Sequence, residues 1–158
     1  YSAAAKEEGA KVIETRINHR MVMCIKEVQS LMKRWLAELG IGIECNPSSN
    51  YLIGAFKRYD KHPILKFYNL GLTLSQSELK ECPQIPVCIN TDDQGIFSTD
   101  LENEYALLAL ALEKAKDENG KNRYSKTMIY QWIDKVRRMG LSLSFADNSE
   151  RYCEWEIE

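Results

Sequence analysis

Histidines are few in this sequence, and closely spaced cysteine pairs are missing. It has two histidines, His19 and His62, and its five cysteines include no Cys-x-x-Cys pair. An odd number of cysteines without close pairs argues against a disulfide framework and against a zinc knuckle. We therefore predict buried free thiols and a cytoplasmic protein.

Long apolar runs and an excess of positive charge are also missing. No apolar run approaches the roughly 18 to 20 residues that a membrane-spanning helix needs, so we expect no membrane partner. The net charge of −2 argues against general nucleic-acid binding, which requires a basic face. The chain begins at Tyr1 and not at Met, without a signal-peptide pattern, so it could be processed, trimmed or cut from a longer protein.

Short apolar segments alternate with helical patterns along the chain. The predicted strands are Lys11–Ile17, Ile41–Cys45 and Ile85–Asn90, and the predicted helices run over Arg20–Leu39, from Leu101 to about Asn119, and over Lys126–Met139 with Gly140 as its stop. This order is typical of an α/β protein with parallel strands covered on both faces. A doubly wound sheet and part of a β/α barrel both fit the pattern.

Polar residues follow the predicted strands at the points where chemistry is placed in parallel α/β folds. His19 follows the first strand, and Asp92 and Asp93 follow the third. A histidine and two carboxylates converging there could form part of a metal or acid–base site. Each also has a structural explanation, because a lone histidine is often only partly buried and paired aspartates often form turns or caps. We assign His62, which precedes a proline, no chemical role.

Several short motifs occur in a fixed order over roughly residues 11–110. They are Arg16–His19 (RINH), residues 43–54 (IECNPSSNYLIG), His62-Pro63, residues 89–97 (INTDDQGIF), and then Leu101 and Glu104-Tyr105. In wording and order they resemble the sixth-, seventh- and eighth-strand elements of the adenosine/AMP deaminase family. The last 40 or so residues are similar only in general helical character.

The resemblance implies a fold and an activity. Residues 1–158 would be the C-terminal portion of a (β/α)8 TIM-type barrel of the metal-dependent hydrolase type, covering about strands six to eight and their flanking helices. Residues 100–158 would be the helical C-terminal region of the same domain. The implied reaction is hydrolytic deamination of an adenine-containing nucleoside or nucleotide to the inosine form, with release of ammonia.

The resemblance also implies roles for individual residues. Asp92 would be the carboxylate ligand of a catalytic divalent metal, usually Zn²⁺. Asp93 would hydrogen-bond the purine ring near the reacting carbon. His19 would orient and help activate the metal-bound water, whose pKa the metal lowers. The sequence departs from the family around these residues: Asn18 and Arg20 flank the histidine in place of small residues, and Gln94-Gly95 stands where proline is usual.

Other parts of the family's site have no counterpart in these 158 residues. The first-strand His-x-His pair, the fifth-strand histidine and the glutamate that protonates the purine are absent, and a full barrel takes about 250 residues. We expect the remaining metal ligands in missing N-terminal segments, and this chain alone to be inactive. Because a partial barrel has unpaired strand edges, we predict association with the missing N-terminal half or with a second copy.

Two alternatives remain at this stage. The chain could be a non-catalytic scaffold or oligomerisation domain that retains a partial barrel, with the helices between Leu101 and Met139 serving assembly. It could also be a complete doubly wound domain of unrelated function. A His-x-His motif after an early strand upstream would favour the enzyme.

Overall fold

The computed structural model describes residues 2–12 and 16–145, which form helices around a small parallel sheet. The elements are α1 (Ala3–Gly9), α2 (His19–Glu38), β1 (Ile43–Cys45), α3 (Pro47–Ile53), two 3-10 helices (Tyr59–Lys61 and Pro63–Lys66), α4 (Gln76–Glu81), β2 (Val87–Ile89), α5 (Gln94–Phe97), α6 (Leu101–Lys114) and α7 (Lys126–Ser142). Within these residues, no helix is both long and apolar enough to cross a bilayer.

The chain divides into two units, residues 1–32 and residues 33–158, and α2 runs across the boundary. In the first unit, the Ser2 side chain caps α1 by accepting a hydrogen bond from the amide of Ala5. The Asn18 side chain accepts a hydrogen bond from the amide of Met21 in the first turn of α2. The strand predicted over Lys11–Ile17 is not found among its described residues, and residues 13–15 lie outside the description.

The second unit is organised around the pairing of β1 with β2. The two strands are parallel, with Ile43 opposite Val87 and Cys45 opposite Ile89. Parallel pairing of the predicted second and third strands is thereby confirmed. Each strand is only three residues long, and within the described residues each pairs with the other alone.

Helices α6 and α7 supply most of the apolar core of this unit. The fully buried residues in that core include Leu108 and Leu112 from α6, and Ile129, Trp132 and Val136 from α7, with Val87 and Ile89 from β2 beside them. Along α6 and α7 these residues recur at spacings of three or four, which places them on one face of each helix. In β1, Glu44 is exposed between the half-buried Ile43 and the buried Cys45.

Two predicted helix boundaries were wrong. Helix α6 ends at Lys114 and not near Asn119, and at its start the side chain of Asp100 accepts a hydrogen bond from the amide of Asn103. Helix α7 continues through Gly140 to Ser142. A Cβ atom at Gly140 would lie 3.4 Å from the Cβ of Cys88, which is an ordinary packing distance, so α7 packs against β2 at this position.

Four cysteines lie in the described part of the chain, and all four are free thiols. Cys45 and Cys82 are buried, Cys88 is half-buried, and Cys24 is exposed, contrary to the prediction of buried thiols throughout. Burial raises the pKa of Cys45 to about 12, so its thiol stays protonated and inert. Cys153 lies outside the described residues.

Candidate functional site

The carboxyl ends of β1 and β2 meet at one edge of the sheet. The amide of Asn90 donates to the carbonyl of Cys45 over 3.0 Å, which extends the pairing to the last residue of β1. The segments that follow the strands, one starting α3 and the other containing Asp92 and Asp93, therefore begin side by side. This is the edge at which parallel α/β folds place their chemistry.

Asp92 lies in the turn after β2 and contacts the segment after β1. Its Oδ2 accepts a 2.8 Å hydrogen bond from the hydroxyl of Ser49. Its backbone is left-handed, with φ at 57°, a conformation that non-glycine residues seldom adopt and that is enriched at functional sites. Asp92 is exposed whereas Ser49 is buried. The carboxylate of Asp92 is therefore hydrogen-bonded to a buried hydroxyl and is also accessible to solvent.

Asp93 combines a structural contact with an exposed carboxylate. Its Oδ1 accepts a 3.0 Å hydrogen bond from the amide of Ile96, which makes it the N-cap of α5. This oxygen of Asp93 therefore has the helix-capping role that paired aspartates often have. Within the described residues its Oδ2 takes no hydrogen bond.

A buried glutamate supports the site from α6. Glu104 is 0% exposed, its Oε2 accepts from the amide of Ser48 over 2.8 Å, and its Oε1 accepts from the hydroxyl of Thr99. The sequence motifs contain Ser49 and Glu104, but sequence reasoning gave neither a role in the site. A signal was available for Glu104, because it occupies the buried stripe of α6 four residues before Leu108.

His62 is a buried residue that contacts α3 through Asn50. It is 1% exposed, its Nδ1 accepts from the amide of Ile64, and its Nε2 lies 3.2 Å from the side-chain oxygen of Asn50. These partners assign the proton to Nε2. Burial lowers the pKa of His62 to about 4, so the ring is neutral near pH 7. It is also the N-cap of the 3-10 helix Pro63–Lys66.

His19 is the first residue of α2 and is exposed. It belongs to the first unit, whereas Asp92 and Asp93 belong to the second. A shared pocket for His19 and the two aspartates therefore stays a prediction.

Two clefts on the second unit lie apart from the aspartates. The two clefts have volumes of about 530 Å³ and about 710 Å³, and Asp92 and Asp93 line neither of them. Over the described ranges, no cluster of three or more histidine, cysteine, aspartate or glutamate residues could hold a metal ion. We place the candidate site at the strand edge nevertheless, because the strained backbone and the converging polar contacts are there.

Comparison with known proteins identifies the family. The family model described as adenosine deaminase matches residues 6–142. An aminodeoxyfutalosine deaminase from Streptomyces coelicolor is 40% identical over 85 residues, which cover 54% of this chain and 18% of that protein. An adenine deaminase from Sinorhizobium medicae is 27% identical over 136 residues, which cover 86% of this chain and 33% of that protein. No solved structure matches the chain.

The aligned segments thus span between about a fifth and a third of the length of these curated relatives. The family model, by contrast, covers most of the chain and includes the edge that carries Ser49, Asp92, Asp93 and Glu104. This chain belongs to the adenosine deaminase family.

Proposed function

We propose that this chain is the C-terminal part of a deaminase barrel, in a longer protein that deaminates an adenine-containing nucleoside or nucleotide to the inosine form. Residues 1–158 would contribute about strands six to eight of a (β/α)8 barrel, and residues 100–158 its helical C-terminal region. The observation that carries the proposal is the Ser49–Asp92 hydrogen bond at the common carboxyl edge of β1 and β2. The two deaminases to which the chain is similar support the same reaction class.

The described residues fit a metal ion in part. Oδ2 of Asp92 is engaged by Ser49, and within the described residues Oδ1 takes no hydrogen bond. A single exposed carboxylate suits one position of a divalent metal site, but it does not make a site alone. The other ligands must then come from residues upstream, as the lengths of the relatives allow.

The reaction would replace the purine amino group by oxygen. Water adds to the amine-bearing carbon, the carbon–nitrogen bond breaks, and ammonia leaves. A divalent metal such as Zn²⁺, when bound, would lower the pKa of the attacking water. Asp92 would hold that metal, and His19 would orient the water and balance developing negative charge. Asp93, through the oxygen not used in capping α5, would accept a hydrogen bond from the purine ring.

The surface of α2 supports a larger assembly. Eight of its large apolar residues are exposed: Met21, Val22, Met23, Ile25, Val28, Leu31, Met32 and Trp35. So many exposed apolar side chains on one helix are normally covered, and the outer edges of β1 and β2, which pair with no strand among the described residues, also invite pairing. We propose that the N-terminal part of the barrel covers both, and that the short chain alone forms oligomers. A monomer by light scattering at high concentration would contradict the second statement.

The full-length protein tests the proposed reaction. Purified with Zn²⁺, it should release ammonia from adenosine or AMP and convert the adenine chromophore to that of hypoxanthine. Asp92→Ala should abolish turnover and reduce bound zinc while circular dichroism stays unchanged. Glu118→Ala, at an exposed carboxylate far along the chain, is the control and should retain both. A full-length protein that binds no metal and deaminates neither of these compounds would instead support a non-catalytic scaffold.

A further inference from the structure

A carboxylate that forms no ion pair with any described residue is enclosed in the second unit. Glu104 is fully buried, and none of the ion pairs found among the described residues includes it. Burying a carboxylate is unfavourable unless hydrogen bonds replace its water shell. The amide of Ser48 and the hydroxyl of Thr99 provide these bonds. Glu104 can therefore act by fixing the positions of these two groups.

Glu104 caps a helix to which it does not belong. Helix α3 begins with Pro47, which has no amide hydrogen, and Asn46 at the cap position makes no capping hydrogen bond with its side chain. The first amide that needs an acceptor is therefore that of Ser48. The carboxylate of Glu104, 56 residues further along the chain, accepts it over 2.8 Å. The orientation of the first turn of α3 is thus fixed from α6.

The first turn of α3 places the hydroxyl group of Ser49 at the candidate site. Ser49 directly follows the residue held by Glu104, is 3% exposed, and donates to Oδ2 of Asp92 over 2.8 Å. Because Asp92 is exposed, its side chain could change rotamer without this hydrogen bond. Two hydrogen bonds therefore link α6 to Asp92 through α3.

We propose that Glu104 is a positioning residue for Asp92, acting through the first turn of α3 and the Ser49 hydroxyl. It fixes which oxygen of Asp92 is engaged by the protein and which is left for a divalent cation. This inference rests on the proposed role of Asp92 and adds a remote residue to it. Partners of this kind behind a metal ligand usually change metal affinity by about 10- to 100-fold when removed.

The test measures Zn²⁺ affinity in the full-length protein by competition with a chelator. Glu104→Ala and Ser49→Ala should each weaken Zn²⁺ binding by about 10- to 100-fold, and activity lost at limiting Zn²⁺ should return at saturating Zn²⁺. Ser49→Thr keeps the hydroxyl, and Glu104→Gln keeps an oxygen for the Ser48 amide, so both should recover most of the affinity. Glu102→Ala, at an exposed glutamate of the same helix, is the matched control and should bind like the wild type.

The outcomes separate positioning from simple support of the fold. If Glu104→Ala and Ser49→Ala lower the melting temperature of the zinc-free protein but leave its Zn²⁺ affinity unchanged, the proposal is overturned. Should Glu104→Ala fail to fold, Ser49→Ala decides the result, because it leaves the Glu104–Ser48 contact intact. Asp92→Ala is measured in parallel. If it weakens Zn²⁺ binding and the other two do not, only the positioning role is wrong, whereas an unchanged affinity in Asp92→Ala removes the metal site itself.

Discussion

Acid should destabilise this protein well above the pH at which most carboxylates titrate, because His62 is buried as a neutral ring. The pKa of His62 falls from 6.5 to about 4 on folding. The unfolded chain therefore binds a proton more readily, and stability that is complete above pH 6.5 is lost as the pH falls towards 4. A full shift of this size corresponds to about 3 kcal/mol, of which about 2 kcal/mol is lost by about pH 5.

The measurement is urea denaturation at several pH values between about 7 and 5. Above this lower limit the titration of Asp60 does not contribute to the slope. Its hydrogen bond with Arg58 is the main cause of its lowered pKa, and this shift affects stability only in more acid solution. His62→Gln should be less stable at neutral pH but should lose little further stability over this range. His19→Gln, at the exposed histidine, is the control and should keep the wild-type slope. A wild-type free energy of unfolding that stays constant, or an equal slope in His62→Gln, would refute the reasoning.

Two further substitutions test the packing of the second unit. Trp132→Ala removes a side chain that is 0% exposed and should cost about 3–5 kcal/mol in the free energy of unfolding; a cost below about 1 kcal/mol in urea denaturation would contradict the described core. Gly54→Ala should destabilise by about 1–3 kcal/mol, because the added Cβ would lie 2.3 Å from the carbonyl oxygen of Asn50. Gly9→Ala, where nothing lies near the added atom, is the matched control, and equal melting temperatures for the two variants would argue against the described end of α3.

Local sequence signals predicted the elements well where they were continuous. The apolar runs that end at Cys45 and Asn90 became β1 and β2, and the periodic apolar residues of α2, α6 and α7 became helices. Their parallel pairing followed from the alternation of strands with helices. The register of that pairing did not, since it is decided by packing between residues more than 40 positions apart.

Long-range polar contacts account for the details that sequence reasoning missed. Thr99 has the spacing of a capping residue, but its hydroxyl donates to the buried Glu104 and Asp100 caps α6 in its place. Gly140 resembles a helix stop, but it lies inside α7 where the helix approaches Cys88. The Ser49–Asp92 bond joins residues 43 positions apart, and no local pattern specifies it.

The central claim is that Asp92 binds the catalytic metal, and anomalous diffraction at the zinc absorption edge tests it most directly. In crystals of the full-length protein grown with Zn²⁺, we expect an anomalous peak about 2.0–2.2 Å from a carboxylate oxygen of Asp92, with His19 and Asp93 facing the same pocket. A zinc peak remote from Asp92, or His19 on the opposite side of the molecule, would contradict the assignment.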